Sequence, residues 1–144
     1  MIHNYCNAQR SSDGLRRIDM WLAQRDHWDV VTFNHGIWDI VETQTPENYY
    51  YNLKEIGKKI QAKSNKVIFF TTTVLPNVDP ARFAQFRAAA AQAMSELGIQ
   101  VYDLETYSQS IISFQNADHV HFYGVGDELL ARFVTDSIND KLSQ

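Results

Sequence analysis

The chain contains the run Trp28-Asp29-Val30-Val31-Thr32-Phe33-Asn34, which is compact and largely apolar and ends at His35-Gly36. Its length and its valines favour a strand that is buried on both faces, as in a parallel sheet. Residues 67–74 form a second strand-like run, which Leu75-Pro76 ends. These two runs predict strands of an α/β fold.

Helical patterns separate these strands. Ser11-Ser12-Asp13 offers capping side chains to a helix that ends near Arg25-Asp26. Thr45-Pro46 precedes a second helix, and Pro80 opens a long alanine-rich helix that Gly98 ends. Short strands are expected at residues 2–7 and 99–104, a short helix at 107–114 and a last helix from residue 126. The alternation of strand and helix predicts βαβ crossovers, with helices on both faces of a mostly parallel sheet.

Length and composition predict a single domain over residues 1–144 and argue against several classes of partner. A net charge of −4 disfavours nucleic acid and anionic membranes as main partners. Cys6 is the only cysteine, so the chain forms no intrachain disulfide. No apolar run is long enough to span a bilayer. The first residues lack the features of a signal peptide, which predicts a cytoplasmic protein as the chain stands and leaves export open if a signal is missing.

A candidate base lies in Asp118-His119-Val120-His121-Phe122. A carboxylate three residues before an imidazole, on one turn, can accept a hydrogen bond from Nδ1–H and leave Nε2 free as a base. The alternative is a solvated loop before a helix. A metal site of Asp118, His119 and His121 is a weaker hypothesis, because no further ligand is evident and we expect none.

Three blocks of the chain, in this order, resemble the SGNH (GDSL-type) hydrolases. They are residues 7–15, beginning Asn7-Ala8-Gln9-Arg10; residues 28–39, ending Gly36-Ile37-Trp38-Asp39; and the block from Asp118 to His121 with the glycine and helix behind it. The resemblance covers essentially the whole chain. It implies a flavodoxin-like three-layer αβα sandwich that hydrolyses an ester through an acyl-serine intermediate, without a cofactor.

The same resemblance assigns roles to two residues and an environment to five. His121 matches the general base, and Asp118 matches the group that orients it. The remaining five belong to the predicted oxyanion and substrate pocket: Asn7, Ala8, Asn34, Gly36 and Trp38. Ala8 replaces a glycine whose backbone N–H donates to the oxyanion, and alanine keeps that N–H. Trp38 replaces the oxyanion asparagine, so its indole N–H or Asn34 is the substitute donor.

The nucleophile of the family has no match, because no Gly-Asp-Ser occurs in the chain. The resemblance therefore implies a member without its first strand, with sheet edges that a second copy could pair with. Ser11 and Ser12 are the nearest hydroxyls and are expected to be helix caps. The substrate is expected to be a small ester, with carbohydrate and lipid esters both open. The alternative function is a non-catalytic module that binds a small ligand or a protein.

Overall fold

A computed structural model of the chain describes residues 9–42 and 44–144. Within these residues, one parallel sheet has the order β1-β2-β3, formed by β1 (Val31–Phe33), β2 (Val67–Phe70) and β3 (Gln100–Tyr102). The helices are α1 (Ser11–Leu22), α2 (Ile37–Val41), α3 (Pro46–Gln61), α4 (Pro80–Leu97), α5 (Leu104–Ser110) and α6 (Val125–Ser143), with a 3₁₀ turn at Ile112–Phe114. The strand expected at residues 2–7 lies outside the described residues.

The central strand β2 shows why the fold has three layers. All four of its residues are buried. Val67 and Phe69 pack into a cluster with α1, α3 and α4, whereas Ile68 and Phe70 pack with α5 and α6 on the opposite face. Because side chains alternate along a strand, a strand that is apolar throughout needs helices on both sides. The α/β class and the parallel sheet predicted from the sequence are confirmed.

The strand β1 differs from its prediction in length and burial. It spans three residues rather than seven, and Thr32 at its middle is exposed. In the described part of the chain, β1 pairs only with β2. The prediction that this strand is buried on both faces is therefore wrong, because Thr32 is exposed and Val31 and Phe33 are only partly buried.

The predicted starts of α3 and α4 and the predicted end of α4 are observed, whereas the predicted end of α1 is not. The side chains of Thr45 and Asp79 accept hydrogen bonds from the first turns of α3 and α4, each of which begins with proline. Gly98 ends α4 in the left-handed conformation, with φ at 63°. The helix α1 ends at Leu22, before the predicted Arg25-Asp26.

The predicted caps of α1 and the predicted helix 107–114 also need correction. Ser11 lies inside α1 and Arg10 holds the N-cap position. The helix near residue 107 begins at Leu104 because the side chain of Asp103 accepts the N–H of Thr106 and caps it. Among the described helices, none is long and apolar enough to cross a membrane.

Candidate active site

The Asp118–His121 turn has the geometry that its spacing predicts. Oδ2 of Asp118 lies 2.8 Å from Nδ1 of His121. Oδ1 of Asp118 accepts the backbone N–H groups of Val120 and His121, each at 2.9 Å. Because a carboxylate only accepts hydrogen bonds, Nδ1 carries the hydrogen, and Nε2 is the acceptor of the neutral ring. The turn therefore presents a basic nitrogen held in one orientation.

The charge of Asp118 is maintained by the same contacts. The hydrogen bond from His121, followed by those from the two backbone N–H groups, lowers the pKa of Asp118 to about 2. The carboxylate is thus ionised at neutral pH and can stabilise an imidazolium. The side chain of His121 is 75% exposed, so the pair is open to solvent and to a substrate.

Backbone contacts on both sides fix the position of this turn. Gln115 and Phe122 form an antiparallel bridge, and the N–H of Asn116 donates to the carbonyl of His121 at 2.7 Å. Phe122 is buried and anchors the turn to the protein. His119 adopts a left-handed conformation with φ at 59°. The two histidines of the turn thus have different backbone conformations.

Gly36 begins the second part of the candidate site. Its φ is 148°, and a Cβ atom there would lie 3.1 Å from the hydroxyl of Tyr49 and 3.3 Å from Cβ of Thr72. Only glycine fits this conformation and this close packing. Trp38 follows on α2 and is 41% exposed, so its indole is accessible.

The side-chain amide of Asn34 already donates hydrogen bonds to the protein backbone. Its Nδ2 donates to the carbonyls of Phe70 at 2.9 Å and Thr71 at 3.0 Å, which uses both amide hydrogens. An oxyanion role for Asn34 requires one of these bonds to break. Asn34 braces the ends of β1 and β2, and Trp38 is the more accessible of the two predicted substitutes.

A buried polar cluster connects α1, α2 and α3. Oδ1 of Asp39 accepts the hydroxyl of Ser11 at 2.5 Å, and both oxygens accept the Ser11 backbone N–H at 3.0–3.1 Å. Asn52 donates to the Ser11 hydroxyl at 3.0 Å. Burial raises the pKa of Asp39, and the hydrogen bonds from Ser11 oppose that shift. Since Ser11 is fully buried and its hydroxyl is engaged, it is neither a cap side chain nor an accessible nucleophile.

Arg82 is a residue that the sequence analysis missed. It lies on α4 and donates to the backbone carbonyls of Asp39, Ile40, Glu42 and Gln44. These carbonyls end α2 and begin the next loop, where a cation is favoured by the helix dipole. Arg82 also lies over the ring of Phe86, 4.9 Å from its centroid. No local pattern marks this residue, because its partners lie about 40 residues earlier in the chain.

A cleft of about 370 Å³, called here the Arg82 cleft, brings α2 and the Asp118 turn together. Its walls come from α2, from residues 75–79 and 82, and from residues 118–120. Ile40 and Val41 of α2 and Asp118 of the turn therefore border the same depression, whereas Gly36, Trp38 and His121 do not line it.

Several other residues near the candidate site have packing roles or lie outside the described part of the chain. His35 packs against α1 so closely that a Cβ on Gly14 would lie 2.5 Å from its Nε2, and burial lowers the pKa of His35 to about 4. Tyr49 lies in the core, whereas Tyr51 is exposed. Asn7, Ala8 and Cys6 lie outside the described residues. Within residues 9–42 and 44–144, no group of three or more His, Cys, Asp and Glu side chains could hold a metal ion.

Solved esterases and lipases share this fold at low sequence identity. The lipase/acylhydrolase from Enterococcus faecalis matches with a TM-score of 0.75 and 23% identity, over 91% of this chain and 71% of that chain. Esterase EstA from Pseudoalteromonas sp. matches with a TM-score of 0.79 and 22% identity, over 96% and 75% of the two chains. The acetylxylan esterase Axe2 from Geobacillus stearothermophilus matches with a TM-score of 0.77 and 18% identity, over 92% and 68%. No family model and no curated protein matches the chain.

These likenesses define the fold class of the chain as that of the SGNH hydrolases. The fold predicted from the three sequence blocks is thereby confirmed.

Proposed function

We propose that the chain is the part of an SGNH-type serine ester hydrolase that carries the base, His121, and its orienting carboxylate, Asp118. The observation that supports this proposal is the 2.8 Å contact between Asp118 and Nδ1 of His121, on a turn that borders the same cleft as α2. A base and its orienting carboxylate, with the carboxylate lining a depression, are two of the groups that acyl transfer requires.

Each group has a defined part in the proposed reaction. Nε2 of His121 takes the proton of a serine hydroxyl as that oxygen attacks the ester carbonyl, and later gives it to the leaving alcohol. Asp118 keeps the ring oriented and stabilises the imidazolium. The backbone N–H of Ala8 and a donor near Gly36, with Trp38 the accessible side chain, hold the negative oxygen of the tetrahedral intermediate.

The nucleophile comes, in this proposal, from polypeptide outside the 144 residues. The chain has no Gly-Asp-Ser, and Ser11 is buried with its hydroxyl engaged. A variant of Axe2 in which a serine close to the start of that protein is replaced by alanine is a catalytic mutant. By analogy, we expect the serine to lie ahead of the first block of this chain.

An esterase assay of the longest product that the gene encodes tests the proposal. We expect hydrolysis of p-nitrophenyl acetate to fall by about 10³-fold or more in His121→Ala, because triad members act as a unit. His27→Ala is the matched control, since His27 is exposed and lies outside the three blocks. Undiminished turnover in His121→Ala, with His27→Ala also active, ends the assignment.

A second candidate is a non-catalytic module with the same fold. The hydrogen bonds of the Ser11 hydroxyl to Asp39 and from Asn52 favour this candidate. Among the described residues, no hydroxyl group forms a hydrogen bond with the ring of His121. The reading frame upstream of Met1 discriminates the two. A strand ending in Gly-Asp-Ser supports the esterase, whereas an in-frame stop codon supports the binding module.

A further inference from the structure

We infer that the Arg82 cleft binds the alcohol part of the ester, and that this alcohol is a neutral, polyhydroxylated group of the carbohydrate kind. The inference rests on the proposed function, since it names the substrate class of the same site. It is carried by the hydrogen-bonding groups, the charges and the apolar surface of the cleft.

The first step concerns the donors of Arg82. Its Nε and Nη2 donate to four backbone carbonyls, whereas Nη1 has no partner among residues 9–42 and 44–144. A planar guanidinium held in this way on one side presents its two remaining N–H groups in a fixed direction. Arg82 borders the cleft and is only partly buried, so these N–H groups are available to a ligand.

The second step concerns charge. Asp79 and Asp118 border the same cleft as Arg82. The two carboxylates outnumber the guanidinium, so the cleft disfavours a carboxylate or phosphate ligand by repulsion. A neutral ligand meets no such penalty.

The third step concerns acceptors and apolar surface. Oδ1 of Asp79 accepts the N–H of Ala81, and Oδ2 has no partner within the described residues. The side chain of Asn77 is exposed and makes no hydrogen bond in that part of the chain. Leu75, Val78 and Val120 supply apolar surface beside these groups.

These properties match a sugar ring better than other alcohols. Hydroxyl groups both donate and accept, which suits Arg82, Asp79 and Asn77, and the C–H face of a ring packs on the apolar residues. The cleft volume of about 370 Å³ lies within the usual range for small-molecule sites. The ligand would lie beside Asp118 and Val120, the turn residues before His121, and His121 protonates the departing alcohol in the proposed reaction.

Binding of unreacted glycosides to the 144-residue chain tests the inference by NMR. The probes are methyl β-D-glucopyranoside, methyl β-D-glucuronide and cyclohexanol, which share a six-membered ring but differ in charge and hydroxyl content. We expect the glucopyranoside to shift the amide signals of Asn77, Val78 and Val120. Its affinity should exceed that of either other probe by about tenfold. Cyclohexanol lacks most of the hydroxyl groups and their hydrogen bonds, and the glucuronide carries a negative charge that the carboxylates of the cleft repel.

Two variants locate the binding. Asn77→Ala should weaken glucopyranoside binding about fivefold, because one polar contact of ordinary strength is lost. Asn139→Ala is the control, since Asn139 is exposed on α6 and does not border the cleft. The inference is overturned if the glucopyranoside shifts none of these signals, if cyclohexanol or the glucuronide binds equally well, or if Asn77→Ala binds like the parent chain.

The outcome is separable from that of the proposed function. Glycoside binding needs no nucleophile, whereas the esterase assay needs one. Hydrolysis without glycoside binding removes only the assignment of the alcohol, and glycoside binding without hydrolysis removes only the esterase.

Discussion

The carboxylate of Asp39, at the start of α2, accepts both the backbone N–H and the hydroxyl of Ser11, at the start of α1. The two residues lie 28 positions apart in the chain. Ala8 lies three positions before Ser11 in the sequence, and Trp38 precedes Asp39 on α2, so this contact joins residues close in sequence to both proposed oxyanion donors. Asp39 is a positioning residue in this view, because it acts on the donors through α1 and α2.

Replacing Asp39 should destabilise the protein markedly. Asp39→Ala leaves a buried N–H and a buried hydroxyl of Ser11 without their acceptor, which costs about 2–4 kcal/mol of unfolding free energy. Urea denaturation measures the loss. Asp26→Ala is the matched control, since Asp26 is exposed, and should change stability by less than about 0.5 kcal/mol. Equal stabilities of the two variants would contradict the role assigned to Asp39.

The titration of Asp118 should report its contact with His121. The pKa of Asp118 is lowered to about 2, first by the hydrogen bond from His121, so its carboxyl carbon should titrate near that pH in an NMR experiment. Since the folded-state pKa lies below the unfolded value, the stabilising effect is present at neutral pH and is lost as the pH falls towards 2. His121→Ala should raise this pKa towards its ordinary value. His119→Asn, which suits the left-handed conformation, should leave it low.

Adding a methyl group at Gly14 should destabilise the protein although it favours the helix. Alanine gains about 1 kcal/mol of helix propensity over glycine. The added Cβ would, however, lie 2.5 Å from Nε2 of His35, and overpacking of this kind costs about 1–3 kcal/mol. We expect a lower melting temperature for Gly14→Ala and its recovery in the double variant with His35→Ala. A single variant more stable than the parent would show that this contact relaxes freely.

Removing the guanidinium of Arg82 should loosen α2. This helix has five residues, too few to be stable alone, and Arg82 satisfies four carbonyls at its end. In Arg82→Met, the free energy of local opening measured by hydrogen exchange in α2 should fall by about 2 kcal/mol. Arg132→Met, on the exposed side of α6, is the control. Unchanged exchange in α2 would contradict this role.

Association of two copies is expected through the sheet edge at β1. In the described residues, Val31–Phe33 pairs on one side only, and Thr32 is exposed at its centre. Sedimentation velocity at rising concentration should show a dimer, which Thr32→Lys weakens by placing a charge at the edge. Gln85→Lys, an equally charged change on the exposed side of α4, should not. A monomer at every concentration would refute the expectation.

Much of the fold was predictable because its signals are local. Proline and glycine mark the ends of α4, and the uniformly apolar run of β2 requires helices on both faces. The Asp118–His121 contact is equally local, since one turn spans three residues and lets the carboxylate reach the ring. The length of β1 was overestimated because a strand extends only where a neighbouring strand pairs with it, and the composition of a run does not show where that pairing stops.

By itself, the sequence determined the α/β class, the alternation of elements and the paired turn of Asp118 and His121, because each depends on residues a few positions apart. Three contacts were decided only by the tertiary structure. Ser11 is buried against Asp39, the side-chain amide of Asn34 donates to the carbonyl of Phe70 in β2, and Arg82 donates to the carbonyl of Ile40 near the end of α2. Those contacts join residues about 30 to 40 positions apart, and such distances are closed only when helices pack on the sheet. Burial and partner choice, which set whether a side chain can do chemistry, arise at that stage of folding.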